Sequence, residues 1–268
     1  MQMTFDKYKL YGAYHFRAFY PWPRKDVQSY LRYKTATKVI EMYLRRWQRF
    51  FLLLDIGCGD GALEYYFVKH CKSLKHIHAI CLDNNLLALR MAQVALRRIS
   101  SFEFVLADTN HLPFRSNSFN IIIALEVIEH LSDPFTFMNN IYRCSKDSGL
   151  IVLSTPNALH IGNRDPYHVI EYTAKALQKL FVRRFAYCRI FGVGILNLMN
   201  IRILVTRSVK REISRIYRSL SKILVIFLTK ILDLMDYLIS THIRDPNKAS
   251  TLFIICLKSS AQLKTQAK

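Results

Sequence analysis

Apolar residues fall into two rhythms along this chain. In the first they run together with little alternation, at 51–54, 77–82, 102–106, 119–125, 150–154, 186–193 and 252–257. Runs that do not alternate must be covered on both faces, which is the habit of strands in a parallel sheet. In the second rhythm apolar positions recur at three- and four-residue spacing, which predicts helices over 62–70, 85–98, 134–144 and 174–181. From Asp26 onward Val27, Tyr30, Leu31, Ala36, Val39, Ile40 and Tyr43 lie near one face of a further helix. Strands alternating with helices predict an α/β fold with a doubly wound sheet.

The stretch at the centre is FFLLLDIGCGDG. Its apolar run leads into Asp55, and Gly57, Gly59 and Gly61 follow with one residue between each pair. Glycines at the carboxyl end of a strand permit positive φ and let a ligand approach the backbone. The next helix points its N-terminal amides at that place, where open α/β sheets bind nucleotides. The second strand ends in Asp83, an acid positioned for two ribose hydroxyls. The third ends in Ala107-Asp108 and the fourth in Glu126-Val127-Ile128-Glu129-His130. Parallel strands bring these carboxylates to one edge of the sheet.

The segments LDIGCGDG, ICLDNN, LADTNHLPFRSNSFNIIIALEVIEHLSDP and GLIVLSTPN, in that order, resemble the class I S-adenosylmethionine-dependent methyltransferases. EVIEH is most similar to the branch that holds the ubiquinone-type O-methyltransferases. The resemblance covers about 52–157, and more loosely reaches 172. It implies a Rossmann-like sheet of seven strands with the last antiparallel, and S-adenosylmethionine as cofactor. It implies cofactor contacts from Asp55, Gly57, Cys58, Gly59, Gly61, Asp83, Asn84, Asp108, Thr109 and Glu126. Asp83 would take the ribose and Asp108, with Thr109 beside it, the adenine amine. An Asn/Asp-Pro-Pro-aromatic motif is missing after the fourth strand, which argues against the adenine and glutamine N-methyltransferases.

His130 and His168 are the candidates for removing the acceptor's proton. Glu126, Glu129 and His130 form an alternative reading, a set of hard and borderline ligands for a divalent metal ion, with His168 as a candidate extra ligand. The competing structural reading gives these residues hydrogen-bonding and capping roles. Thr173 is placed to cap the helix that follows, and Glu171 and Tyr172 to hold the loop before it.

The chain divides into an aromatic and helical segment at 1–46, a cofactor-binding core at 47–199, a basic helical insertion at 200–240, and a last core strand with a tail at 241–268. The leading segment carries Tyr11, Tyr14, His15, Phe16, Phe19, Tyr20 and Trp22, which either contact substrate or pack on the sheet.

With a formal charge of +20 and a pI near 9.8, the chain calls for an anionic partner or surface. The insertion mixes Arg202, Arg207, Lys210, Arg211, Arg215 and Lys222 with Ile213, Ile216, Leu220 and Ile223. That mixture suits either a helix lying on an anionic membrane or a lid packed on the core. It fits a solvated nucleic-acid groove less well. No secretory leader or spanning helix is evident, and the six cysteines, none in a Cys-x-x-Cys pair, read as reduced core residues of a cytoplasmic protein.

The expectation is therefore a methyltransferase acting on an oxygen of a small-molecule, glycan or lipid-linked acceptor, with peripheral membrane attachment through 200–240 an open alternative. An RNA methyltransferase and a catalytically silent, membrane-associated scaffold of the same fold are the competing readings.

Overall fold

In a computed structural model, the residues described are 7–19, 27–45, 50–160, 165–182, 184–185, 187–194, 245–247 and 249–258. The expected insertion at 200–240 lies outside them, so its membrane and lid readings are not addressed by the structure.

Seven strands form one sheet in the order β3-β2-β1-β4-β5-β7-β6. They are β1 (Phe51–Ile56), β2 (Ile77–Asp83), β3 (Phe102–Leu106), β4 (Phe119–Leu125), β5 (Ser145–Pro156), β6 (Tyr187–Val193) and β7 (Thr251–Leu257). The pairs β1–β2, β2–β3, β1–β4 and β4–β5 are parallel, whereas β7 runs antiparallel to both β5 and β6. This is the seven-stranded arrangement that the resemblance implied, with the last strand reversed.

The order of strands turns between β1 and β4. The chain moves outward through β2 and β3 on one side and returns to β4 on the other. Such a switch point leaves a crevice at the carboxyl ends of the strands. Leu54, Ile56, Leu82, Ile121, Ile122 and Leu153 are almost fully buried, as both-face coverage of central strands requires.

The helices are α1 (Lys7–Tyr11), α2 (Tyr14–Phe19), α3 (Val27–Leu44), α4 (Ala62–His70), α5 (Leu86–Leu96), α6 (Pro134–Cys144) and α7 (Ala174–Val182). Their starts follow local chemistry. Asn85 caps α5 by accepting from the amides of Leu87 and Ala88 at 2.9 and 3.0 Å. Asp133 does the same for α6 at Phe135 and Thr136, with Pro134 in the first turn where its missing amide costs nothing. Thr173 Oγ1 accepts from Ala176 N at 3.2 Å, the cap expected for α7.

Two expectations are corrected. The strand predicted at 150–154 begins already at Ser145 and runs through the turn expected at 147–149. A register irregularity between Phe119 and Ile121 takes up the extra residues. The cysteines are not all reduced. Cys188 on β6 and Cys256 on β7 stand opposite each other in the antiparallel register and form a disulfide, while Cys58, Cys71, Cys81 and Cys144 are free and buried. Cysteine usage therefore gives no support to a reducing compartment. Among the described residues, no helix is long and apolar enough to cross a membrane.

Candidate active site

The glycine turn is held by backbone bonds before any ligand enters. The amides of Gly57 and Cys58 donate to Leu82 O at 2.7 and 3.1 Å, and Gly59 N donates to Asp83 Oδ2 at 2.9 Å. The end of β2 therefore fixes the end of β1. All three glycines have positive φ: 76° at Gly57, 57° at Gly59 and 79° at Gly61. A Cβ on Gly57 would lie 2.6 Å from Val127 Cγ2, and one on Gly59 would lie 2.5 Å from Tyr8 Oη. Glycine is thus needed twice over, for conformation and for space.

Gly61 has a different task from the one expected. It does not face the crevice. A Cβ there would press on Ala92 of α5 at 3.0 Å, so this glycine lets α4 and α5 approach.

A cavity of about 960 Å³ opens at the switch point. Asp55, Gly57, Cys58, Gly59, Asp83, Asn84, Thr109, Glu126, Glu129, His130 and His168 all line it, so the structure gathers these sequence candidates in one place. Asp108 does not line it. Its carboxylate turns to the backbone instead, accepting from Asn110 N at 2.8 Å, the Asx-turn alternative for an aspartate after a strand.

Buried acids set the electrostatics. Asp55 is 3% exposed, and its carboxyl is raised well above the usual range, first by burial and then by the charge of the neighbouring Glu64. Asp83 holds Gly59 N with one oxygen and Asn85 N with the other, at 2.9 and 2.8 Å. Burial raises its pKa and these amides oppose the rise. Cap duty for α5 belongs to Asn85, which leaves the lone pairs of Asp83 that the amides do not use free for a ligand.

At the far wall stand the residues from EVIEH. Glu126 has φ 57° and is committed elsewhere than expected. It accepts from Arg32 Nη1 at 3.1 Å and from Ser154 Oγ at 2.8 Å. Glu129 is 1% exposed; Thr155 Oγ1 donates to its Oε2 at 2.9 Å, while its Oε1 is buried with no hydrogen-bond partner. Burial, and next the charge of Glu126, raise the pKa of Glu129 well above the usual carboxyl range. His130 Nδ1 lies 2.9 Å from Tyr167 O. A carbonyl can only accept, so Nδ1 carries a proton.

His168 reaches this wall because Glu129 O accepts the amides of both Val169 and Ile170, at 2.8 and 3.1 Å. The two imidazoles meet edge to face with ring centroids 5.1 Å apart. Glu129, His130 and His168 each offer a ligand atom, all within 4.8 Å of one another. Of the expected ligands, Glu129 and His130 stand with His168, while Glu126 is paired with Arg32.

The N-terminal segment supplies part of the cavity wall. Tyr8, Tyr14 and His15 line it, and Phe16 N donates to Asp60 Oδ2 at 3.0 Å. Burial raises the phenols of Tyr8 and Tyr14 far above their ordinary value, so both are neutral donors. Tyr8, Arg32 and Asp60 were not among the candidates named from sequence. Asp60 sits inside the glycine motif and carried a signal; Tyr8 and Arg32 carried none beyond an aromatic, basic composition.

Residues 54–153 match the family model described as a methyltransferase domain. An uncharacterized protein of Methanocaldococcus jannaschii is 27% identical over 144 residues, which is 51% of this chain and 58% of that protein. The mitochondrial ubiquinone biosynthesis O-methyltransferase of Arabidopsis thaliana is 28% identical over 104 residues, 39% of this chain and 32% of that one. Among solved structures, phosphoethanolamine N-methyltransferase 2 of Haemonchus contortus in complex with S-adenosyl-L-methionine superposes with a TM-score of 0.61 at 13% identity, covering 93% of this chain and 57% of that one. The chain thus covers 58% or less of the length of each of these proteins.

Proposed function

We propose that the class I S-adenosylmethionine-dependent methyltransferase domain at residues 54–153 moves a methyl group to an oxygen of a small-molecule, glycan or lipid-linked acceptor seated beside His130. When bound, S-adenosylmethionine supplies a methyl group that its sulfonium has already activated. The chain's own task is then alignment and management of the acceptor's proton.

The residues present fit that cofactor. Positive φ at Gly57 and Gly59 and the space that a Cβ would fill make a cradle at the end of β1. Asp83 is the residue assigned to the ribose hydroxyls, with Asn84 and Thr109 along the adenine side. Asp55, Gly57 and Cys58 take the methionine end. Because the turn is already held by Leu82 O and Asp83, little ordering remains to be done on binding. Tyr8, Tyr14 and His15 line the same cavity.

One observation carries the acceptor's placement: His130, oriented by the bond from Nδ1–H to Tyr167 O, stands on the wall of the same cavity as the cradle. An oxygen acceptor must lose a proton, and a neutral imidazole beside it supplies a base. The charge of +20 supports an anionic acceptor or surface.

The test is calorimetric titration with S-adenosylmethionine and S-adenosylhomocysteine, followed by radiolabelled methyl transfer to hydroxyl and amine acceptors. Binding that weakens in Asp83→Asn supports the reading. A folded protein that binds neither compound overturns it in favour of a silent scaffold. Label that enters amines alone overturns the oxygen assignment.

A further inference from the structure

We propose that the acceptor is a hydroxylated amine, whose ammonium group is received by Asp60, Asp165 and the rings of Tyr14 and Tyr167. The inference rests on the methyl-transfer reading and narrows its acceptor.

Three features support it. The first is the sign of the cavity. The chain holds 39 lysines and arginines against 19 acids. Yet Asp55, Asp60, Asp83, Glu126, Glu129 and Asp165 line the cavity, and among the described lining residues Arg32 alone is a lysine or arginine. Arg32 is paired with Glu126. The methyl donor brings a sulfonium and an ammonium against one carboxylate, which offsets a single acid. An anionic acceptor would meet like charges here, and an ammonium meets opposite ones. The basic excess lies outside the cavity, so it falls to an anionic surface rather than to the acceptor.

The second feature is the company of the rings. Tyr14, Asp165 and Tyr167 all line the cavity. Burial raises the phenol of Tyr14 first, and the charges of Asp60 and Asp165 add to the rise. Asp165 acts on the phenol of Tyr167 as well, again after desolvation. Asp165 therefore stands near both rings, and Tyr14 stands near both acids. Tyr8 extends the aromatic wall, with its ring centroid 5.2 Å from that of Tyr14. Neutral phenol rings beside carboxylates attract a cation through their faces.

The third feature is an unsatisfied acid. Asp60 is 1% exposed; its Oδ2 accepts from Phe16 N at 3.0 Å, and its Oδ1 is buried with no hydrogen-bond partner. A buried carboxylate oxygen in that state is costly. An ammonium beside Tyr14 removes the cost through a charge-assisted hydrogen bond.

One loop joins this subsite to His130. Tyr167 N donates to Asp165 Oδ1 at 2.9 Å, and Tyr167 O accepts from His130 Nδ1 at 2.9 Å. Tyr167 thus gives a ring to the ammonium and a carbonyl to the base. Ammonium and hydroxyl belong to one small molecule, an amino alcohol or an amino sugar, and holding the first presents the second to His130.

The experiment titrates the full chain by calorimetry, with and without saturating S-adenosylhomocysteine. The probes are choline with dimethylbutanol, its uncharged carbon isostere, and glucosamine with glucose. The amine of one pair should bind at least about tenfold tighter than its neutral partner, and the pair that shows this tells an amino alcohol from an amino sugar. Asp165→Asn and Tyr14→Ala should each weaken that amine by about tenfold, whereas Tyr14→Phe keeps the ring face and should retain it. Asp165→Asn should still bind S-adenosylhomocysteine, which shows that it is folded. Amines that bind no better than their neutral partners, or amine binding unchanged in both Asp165→Asn and Tyr14→Ala, overturn the subsite and leave the methyltransferase reading standing. A preference for the amine in a chain that does not bind S-adenosylhomocysteine supports the subsite and overturns the other reading.

Discussion

Arg32 Nη1 lies 3.1 Å from Glu126 Oε2, and this ion pair fastens α3 to the carboxyl end of β4. The side chains are 12% and 21% exposed, so the pair lies between the surface and buried regimes. Exposed pairs contribute about 0–1 kcal/mol, and breaking a buried one costs about 3–5 kcal/mol. Arg32→Ala should therefore lower stability by about 1–3 kcal/mol. In chemical denaturation, Glu126→Gln should relieve part of that loss when added to Arg32→Ala. Additive losses would mean that the two side chains do not interact.

Asp83 should dominate nucleoside affinity. A hydrogen bond to a charged group contributes about 1.5–3 kcal/mol, which is about a ten- to hundredfold change in Kd. Calorimetry on Asp83→Asn reads this directly. Asparagine keeps one acceptor oxygen for the backbone, so thermal stability should fall less than affinity does.

Gly57→Ala combines two penalties, a φ of 76° and a Cβ 2.6 Å from Val127 Cγ2. Positive φ alone costs about 1–3 kcal/mol for a residue with a side chain. Adding Val127→Ala should remove the steric part and leave the conformational part. A double variant no more stable than Gly57→Ala, in urea titration, would show that contact with Val127 adds nothing.

Asp60 gives a pH dependence. Burial raises its carboxyl to about 6, against the resisting bond from Phe16 N. The unfolded chain ionises near 3.9. The folded state therefore favours the proton, and stability from this group is full below about pH 4 and declines as pH rises to about 6. Asp60→Asn removes the ionisation. Relative to the parent, that variant should gain about 2–3 kcal/mol between pH 4 and pH 7. A stability difference flat across that range would contradict the assignment.

Much of this was legible because it is local or periodic. The spacing of apolar positions gave the strands and helices, since a strand buried on both faces and an amphipathic helix leave different repeats. Gly57 and Gly59 were legible because only glycine serves a tight turn that a ligand approaches. Asp83 was legible because βαβ spacing brings a strand-end acid to the same edge. Gly61 and Asp108 carry further local roles in the structure. Both sit in motif positions, yet one spaces two helices and the other closes an Asx turn.

What the sequence by itself determined is the doubly wound sheet, its glycine turn and the carboxylates at its edge. Each follows from short-range stereochemistry and from the alternation of strand and helix. What only the tertiary structure decided are pairings between distant segments, for which no residue spacing is diagnostic. Arg32 reaches Glu126 because α3 packs along the sheet face, with Arg32 at the carboxyl end of β4 and Tyr43 beside Phe51 at the start of β1. Cys188 meets Cys256 because β6 and β7 share one antiparallel register. His168 joins Glu129 and His130 because the carbonyl of Glu129 captures the amides of Val169 and Ile170. Backbone oxygens hold that loop to the wall, Glu129 O by these amides and Tyr167 O by His130 Nδ1, and a backbone oxygen has no letter in the sequence.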